Sequence, residues 1–515
     1  MANTIILITI GAYLVLMVVV GVIFSKKNKD VSDFYLGGRK LGPIVTAMSA
    51  EASDMSSYLL MGLPGLALLC GTAEVGWTVI GLFVGTYLNW LLVAKRLRVY
   101  SQRTGSITIP DFFADRYRDK KALMGISALI ILIFFVPYTA SGFSACGKLF
   151  SNLFDIDYHT AMIISAVVIV AYTSIGGFLA ASTTDLIQSI VMTVSLIVLV
   201  VYGINSAGGV QNVVDNAKAI PQYLSMTSTT NSGTGELSSF GFIKIVSTLA
   251  WGLGYFGMPH ILLRFMAIKD RDKVATSRRI ASTWVIISMA VAVCIGIIGN
   301  CLAEQSFISV LGDNPDNYSS ESEQVVIKMA DHMSAGGWFF AIIAGLIFSG
   351  ILACTMSTAD SQLLAASSSM SENILGGVFG IKFSDKAKMI TARAVLLAIA
   401  VFGIIIAWNP DSSIFEVVSF AWAGFGATFG PVMLLALFWK RSNKYGAIAG
   451  MVAGGITVFV WKFVIRGLSD VLNIYELLPA FIVALVVMIV VSLLTPAPDQ
   501  SITDEFDGVK AELRS

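Results

Sequence analysis

Charge is scarce in this 515-residue chain, where only 13% of residues are Asp, Glu, Lys or Arg. Water-soluble domains carry about twice that share. The length would suit several soluble domains, but the charged surface needed to solvate them is missing. The net charge of +1 gives no global field for nucleic acid or an acidic partner. His159, His260 and His332 lie far apart, which excludes a zinc-hydrolase constellation. The five cysteines (Cys70, Cys146, Cys294, Cys301, Cys354) show no CxxC spacing and sit in or beside apolar runs. They read as small buried hydrophobes, not as a disulfide framework or metal site. No nucleophile–base constellation stands out either, so neither an enzyme nor an organic cofactor is expected.

Hydrophobic residues, in contrast, make up 56% of the chain, and they fall in runs long enough to span a membrane. Thirteen spans are expected, at 4–24, 43–69, 73–95, 122–150, 159–180, 184–206, 240–263, 280–303, 335–372, 394–408, 413–439, 445–466 and 473–495. The fold class is therefore an all-α polytopic membrane protein. The run at 335–372 is too long for one crossing and is expected to tilt or continue into the cytoplasm. The first run lacks a basic leader and a small-residue cleavage site and ends in Lys26, Lys27 and Lys29. It reads as a retained helix and not a signal peptide.

With the N-terminus outside, the inner loops are 25–42, 96–121, 264–279, 373–393, 440–444 and the tail. Together with Lys95 at the membrane edge they hold 28 of the 34 Lys and Arg residues. The positive-inside rule then puts the C-terminus in the cytoplasm. Four regions follow: 1–42, a first span and loop; 43–439, the core; 440–495, two peripheral spans; and 496–515, a tail. The outer segments 207–239 and 304–334 read as solvated connectors. The tail after Pro496 and Pro498 reads as a solvated, partly disordered end.

At membrane depth the informative positions are polar groups and helix breakers, since a central charge costs about 2.5–3.5 kcal/mol on insertion scales. Three stretches stand out. Ser49-Ala-Glu-Ala-Ser-Asp-Met-Ser-Ser-Tyr58 puts Glu51, Asp54 and four serines inside the second span, where they compete for backbone hydrogen bonds and favour unwinding. Trp251-Gly-Leu-Gly-Tyr-Phe-Gly-Met-Pro-His260 weakens the seventh, either as a break lining a cavity or as a kinked packing helix. Trp251 and Tyr255 are four apart and can face one cavity. In the ninth, Thr355, Ser357, Thr358, Asp360 and Ser361 cluster hydroxyls around a carboxylate.

The second and seventh spans each begin a block of five, spans 2–6 (about 43–206) and 7–11 (about 240–439). Paired broken helices in two halves point to an inverted-repeat secondary transporter. Oxygen-only ligands suit a hard monovalent cation.

At these stretches the chain resembles the sodium:solute symporter family, and within it the bacterial sodium/proline symporters. The resemblance rests on Leu36-Gly-Gly-Arg-Lys-Leu-Gly42, Ala52-Ser-Asp-Met-Ser56 with Leu59-Leu-Met-Gly-Leu-Pro-Gly65, and Ile175-Gly-Gly-Phe-Leu-Ala180 with Thr184-Asp185. Trp251-Gly-Leu-Gly-Tyr-Phe-Gly257, Pro259-His-Ile-Leu262, Met356-Ser-Thr358 and Ala421-Trp-Ala-Gly-Phe-Gly426 continue it in order.

It implies a LeuT-like core of two inverted five-helix repeats that imports L-proline with sodium by alternating access across the bacterial inner membrane. Another small amino acid or compatible solute is the nearest alternative. A solute-sensing receptor is a further one, against which the short tail argues. Sodium would be held by main-chain carbonyls of Ala52, Met55 and Cys354 and hydroxyls of Ser357 and Thr358. Asp54 matches a carboxylate on which sodium dependence rests, and Arg39 and Asp185 match other charged positions. Asp185 with Asp360 and Ser361 offers a second cation site, as in some relatives. Ser56, Tyr138, Trp251, Tyr255 and Pro259 would form the proline pocket. Two departures flank it. Ser57-Tyr58 stands where Gly-Trp is usual, and Glu51 replaces a small or uncharged residue. Glu51 is open to three roles, binding a proton, a second cation or a substrate amine, or it points into an aqueous vestibule.

Overall fold

Apolar runs of this length satisfy their backbone polar groups in lipid only as helices, and helices dominate the computed structural model, which describes residues 2–25, 31–382, 384–469 and 471–514. Among the described residues, nine helices are long and apolar enough to cross a membrane. Three shorter apolar helices, Tyr158–Ala171, Phe242–Phe256 and Ile390–Ile406, accompany them. Together with the interrupted segment at 43–70, these overlap the expected spans and are consistent with a count of thirteen. Large apolar side chains cover the outside, with Ile8 66%, Val167 61% and Ile405 61% exposed. A water-soluble fold would bury such a surface, and lipid tails match it.

The long ninth run is one helix, Trp338–Ser368, that continues as a π-helical stretch to Val378. The fifth and sixth runs form one helix, Tyr158–Ser206, broken at Gly177 with φ 70° and ψ 177°. Only glycine enters that conformation cheaply, so the division falls a few residues before the expected 181–183. The helix Pro43–Ser57 packs against Tyr158–Ser206, Val274–Glu304 and Trp338–Ser368, which puts its polar run at the centre of the bundle.

The two outer connectors carry structure of their own, and the second is partly buried. Segment 207–239 contains the helix Val210–Ala219 and a hairpin of Ser228–Thr230 with Leu237–Ser239. Segment 304–334 contains Tyr318–Ser322 and Val325–Ser334. Its Glu323 is buried, ion-paired to Lys148 at 3.1 Å, and accepts the N–H groups of Ile414 (2.9 Å) and Phe415 (2.8 Å). That carboxylate caps the helix Ile414–Phe438 from another part of the chain, favourably at the positive end of its dipole. The tail is also ordered. Gln500–Glu512 is a helix whose Ile502, Phe506 and Val509 share one buried face. Arg118–Glu505, Lys440–Asp507 (2.5 Å) and Arg271–Glu512 (3.0 Å) fasten it to the loops. An acidic composition concealed that narrow apolar stripe.

Candidate ion and solute site

The second span breaks where its serines concentrate. Pro43–Ser57 starts with proline in its first turn and ends because Ser56 adopts φ 37° and ψ −167°. A non-glycine residue there is strained, and such strain is concentrated at functional sites. The Tyr58 N–H turns back to Ser56 Oγ at 3.2 Å, and the chain resumes as a π-turn, Tyr58–Gly62, before Leu63–Cys70. The seventh span breaks too. Phe242–Leu249 tightens into a 3₁₀ stretch, Ala250–Phe256, and a new helix begins at Pro259.

Both sequence readings of its glycines hold. A Cβ on Gly252 would meet Gly81 O at 2.2 Å, and one on Gly254 would meet Trp422 Nε1 at 1.9 Å. Absent side chains thus let the broken segment wedge between Thr72–Leu88 and Ile414–Phe438.

Five oxygens were expected to surround an ion, and the structure gathers three directly. Ser357 Oγ donates to Ala52 O at 2.8 Å and approaches Cys354 O at 3.2 Å. Met55 O lies at the break and accepts the Tyr58 N–H. Thr358 Oγ1 is buried with no hydrogen-bond partner. With Ser56, Ser57, Tyr138 and Gln362 it lines a cavity of about 10 Å³, room for one water-sized sphere. Orphaned oxygen beside clustered carbonyls and hydroxyls fits a hard monovalent ion. Among the described residues, no group of three or more His, Cys, Asp or Glu is placed to hold a metal.

One turn away, Asp54 Oδ2 accepts the Tyr255 hydroxyl at 2.6 Å, and Tyr138 donates to Asp54 O at 3.1 Å. Asp54, Met55, Tyr58, Tyr138, Trp251 and Trp422 line a second cavity of about 10 Å³. Trp251 roofs it. Its ring stacks on Tyr58 (centroids 5.7 Å apart) and Tyr475 (5.0 Å) and packs on Phe415 (5.5 Å). Beyond this aromatic layer opens a vestibule of about 490 Å³, walled by Glu74, Lys244, Glu416, Lys462 and Arg466.

The other candidates divide. Tyr138 and Trp251 meet at the second cavity, and the Tyr255 hydroxyl bonds the Asp54 carboxylate there. Ser56 lines the hydroxyl cavity instead. Pro259 restarts its helix and is not among the lining residues of either cavity. Glu51 is buried, accepts Trp90 Nε1 at 2.9 Å and lines neither cavity nor the vestibule. Arg39 sits at the opposite end of the bundle from the vestibule. It bonds Ser101 Oγ (3.0 Å) and the carbonyls of Ser101 (2.9 Å), Ser106 (2.7 Å) and Met266 (2.6 Å). Asp185 and Ser361 do converge, around the guanidinium of Arg264. Asp360 Oδ1 lies 3.1 Å from Ser361 Oγ.

Sequence reasoning missed Arg264, Phe415, Trp422 and Tyr475 as site residues. Trp422 carried a signal, lying inside a quoted motif. Tyr475 carried none, since it arrives from a region read as peripheral.

Known proteins share this fold. In overall shape the chain matches a sodium-coupled sialic acid symporter (TM-score 0.78, 18% identity, 96% of this chain and 99% of that one). It also matches MhsT in complex with L-phenylalanine (TM-score 0.54, 13% identity, 88% and 98%). The fold is thus LeuT-like. In sequence it is 41% identical to the high-affinity proline transporter PutP of Bacillus subtilis, over 95% of this chain and 98% of that one. It is 42% identical to the sodium/proline symporter of Haemophilus influenzae (98% and 97%) and 40% identical to that of Escherichia coli (100% and 98%). The sodium:solute symporter family profile matches residues 34–454, which include both broken spans and the hydroxyl-bearing helix between whose groups the cavities lie. The chain is a multi-pass membrane transporter that belongs to the sodium:solute symporter family.

Proposed function

We propose that this protein imports L-proline together with sodium by alternating access. It does so across the bacterial inner membrane, with its N-terminus outside and its C-terminus in the cytoplasm. One observation carries the reading: a single unwound turn, Met55–Tyr58, serves both cavities. One side of that turn meets the hydroxyls of Ser357 and Thr358, and the other meets Asp54, Tyr255 and Trp251. Sodium at Ala52, Met55, Cys354, Ser357 and Thr358 would tie the turn to the helix Trp338–Ser368. Fixing the turn preorganises the neighbouring solute pocket, which couples ion binding to solute binding. The aromatic faces of Trp251 and Trp422 suit a compact apolar ring, and broken helix ends offer N–H groups to a carboxylate. Sodium/proline symporters at about 40% identity along nearly the whole chain support this choice of solute.

Tyr58 favours a second reading, because it departs from the usual tryptophan and lines the solute cavity. On that reading the solute is another small amino acid or compatible solute. Labelled uptake into proteoliposomes decides between them. Sodium-driven proline uptake supports the first reading. Its absence, with sodium-driven uptake of a competing solute, supports the second.

A further inference from the structure

The third span changes pitch where it passes the broken seventh. Thr72–Leu88 is α-helical, and Asn89–Ala94 loosens into a π-helical turn before Lys95–Thr104. Such turns recur at functional sites. Gly81, Gly85 and Asn89 are four apart and share one face of this span. That face meets Leu249, Gly252 and Tyr255, which are three apart along the seventh. A Cβ on Gly81 would collide with Leu249 O, and one on Gly85 with Gly252 O. At the third step a side chain is present instead, and Asn89 Nδ2 donates to Tyr255 O at 2.9 Å. The two spacings match because four α-helical residues and three 3₁₀ residues both advance about 6 Å.

The Tyr255 carbonyl needs a donor from outside its own segment. In a continuous helix it would accept from residue 259, which is proline and has no N–H. Asn89 is fully buried, and its Oδ1 has no partner among the described residues. Leucine would fill the same space without that cost, so the amide contributes through its N–H alone. The next residue, Trp90, donates to Glu51 Oε1 at 2.9 Å, about one turn before Asp54 on Pro43–Ser57. Adjacent residues of one π-helical turn therefore hold both partners of the 2.6 Å bond between Tyr255 and Asp54.

We propose that Asn89 is a positioning residue for solute binding. Its amide replaces the N–H that Pro259 lacks and holds the Tyr255 backbone where the hydroxyl reaches Asp54, an inference that rests on the solute pocket proposed above. Asn89 lines neither small cavity, so it acts through Tyr255 and not on the solute.

A double-mutant cycle tests this, read by labelled proline uptake into proteoliposomes holding the full-length protein. Asn89→Leu keeps the volume and removes the N–H. It should raise the proline concentration for half-maximal uptake about 3- to 10-fold, as for one neutral hydrogen bond, with the maximal rate near that of the parent. In a Tyr255→Phe background the same change should add less than about twofold, because the hydroxyl it positions is gone. An equally large effect in that background would overturn the proposal. So would an unchanged apparent affinity in Asn89→Leu, whatever its maximal rate. Should Asn89→Leu fail to accumulate, Asn89→Ser, too short to reach the carbonyl, takes its place in the cycle. Failure of both to accumulate would make Asn89 a folding residue and refute the positioning role. A silent Tyr255→Phe would instead refute the pocket on which the inference rests. A parent that takes up no proline would refute the choice of solute, and the cycle would then judge Asn89 with the solute that is taken up.

Discussion

Thr358 gives the ion site its most discriminating test, because its side-chain oxygen is buried with no partner among the protein's own groups. An unmatched buried hydroxyl costs about 1–3 kcal/mol. Thr358→Val keeps the shape and removes that oxygen, so the sodium-free variant should be at least as stable as the parent. With sodium bound, the same change deletes a ligand of a charged, partly dehydrated group, worth about 1.5–3 kcal/mol by analogy with charged hydrogen bonds. Sodium affinity should then fall roughly 10- to 150-fold. Ser357→Ala should differ in one respect. Ser357 Oγ already bonds Ala52 O at 2.8 Å, so its loss costs the sodium-free state about 0.5–1.5 kcal/mol as well. Thermal unfolding with and without sodium reads both effects. At a sodium concentration 100 times its Kd the parent gains about 2.7 kcal/mol, and both variants should lose about half or more of that gain at the same concentration. The sodium needed for half-maximal uptake should rise in parallel, and proline affinity should suffer at low sodium and recover at high sodium. Normal sodium dependence in both variants would refute this ion site even if proline were still transported.

Three further outcomes follow from the geometry. Tyr255→Phe removes the 2.6 Å bond to Asp54 Oδ2 and should weaken apparent proline affinity about 10- to 150-fold at near-normal abundance; unchanged uptake kinetics would move the pocket elsewhere. A single added cysteine in 207–239 should react from outside with an impermeant thiol reagent and one in 96–121 should not, and the reverse pattern would invert the topology. Glu51→Gln keeps an acceptor for Trp90 and touches no cavity wall, so the range of transported solutes should not change; a shifted range would place Glu51 in the pocket.

Much of this architecture was legible in the sequence because a bilayer punishes exceptions. Charged and backbone-breaking residues stand out against apolar runs, and the polar stretch around Asp54, the glycine-rich turn at Trp251 and the hydroxyls near Ser357 were found that way. What escaped was set by tertiary contacts. Nothing local in Tyr475 says that it stacks on Trp251 from the loop before a distant helix, and nothing local in Glu323 says that it caps Ile414–Phe438. Arg264 was misplaced for a related reason. It follows an apolar stretch at the edge of an inner loop, where the positive-inside pattern absorbs a basic residue without remark. Only the approach of Asp185 and Ser361 from other helices marks it as interior. Glu51 is placed, but its role is not. A buried carboxylate draws functional attention, yet here Trp90 accounts for one of its oxygens, away from both cavities.

The two ends of the solute route are closed by different means, and the difference sets how the transporter must move. From the vestibule of about 490 Å³, one layer of rings (Trp251, Phe415, Tyr475) separates solvent from the solute cavity. The ring faces meet in van der Waals contact, and the bonds that anchor them are neutral ones, such as Tyr475 Oη to Ser419 O at 2.7 Å. At the other end Arg39 bonds four groups, and Leu41 pairs with the backbone on either side of Ile268 (Leu41 N to Ala267 O 3.2 Å, Lys269 N to Leu41 O 2.9 Å). Opening there must break charge-assisted bonds together, so it needs a compensating gain elsewhere. Filling the ion site while the ring layer closes over solute supplies such a gain, because it fixes the unwound turn that both cavities share. On the proposed import reading, the thin barrier belongs to the side from which solute arrives, and the bonded barrier to the side that must stay shut until ion and solute are both in place.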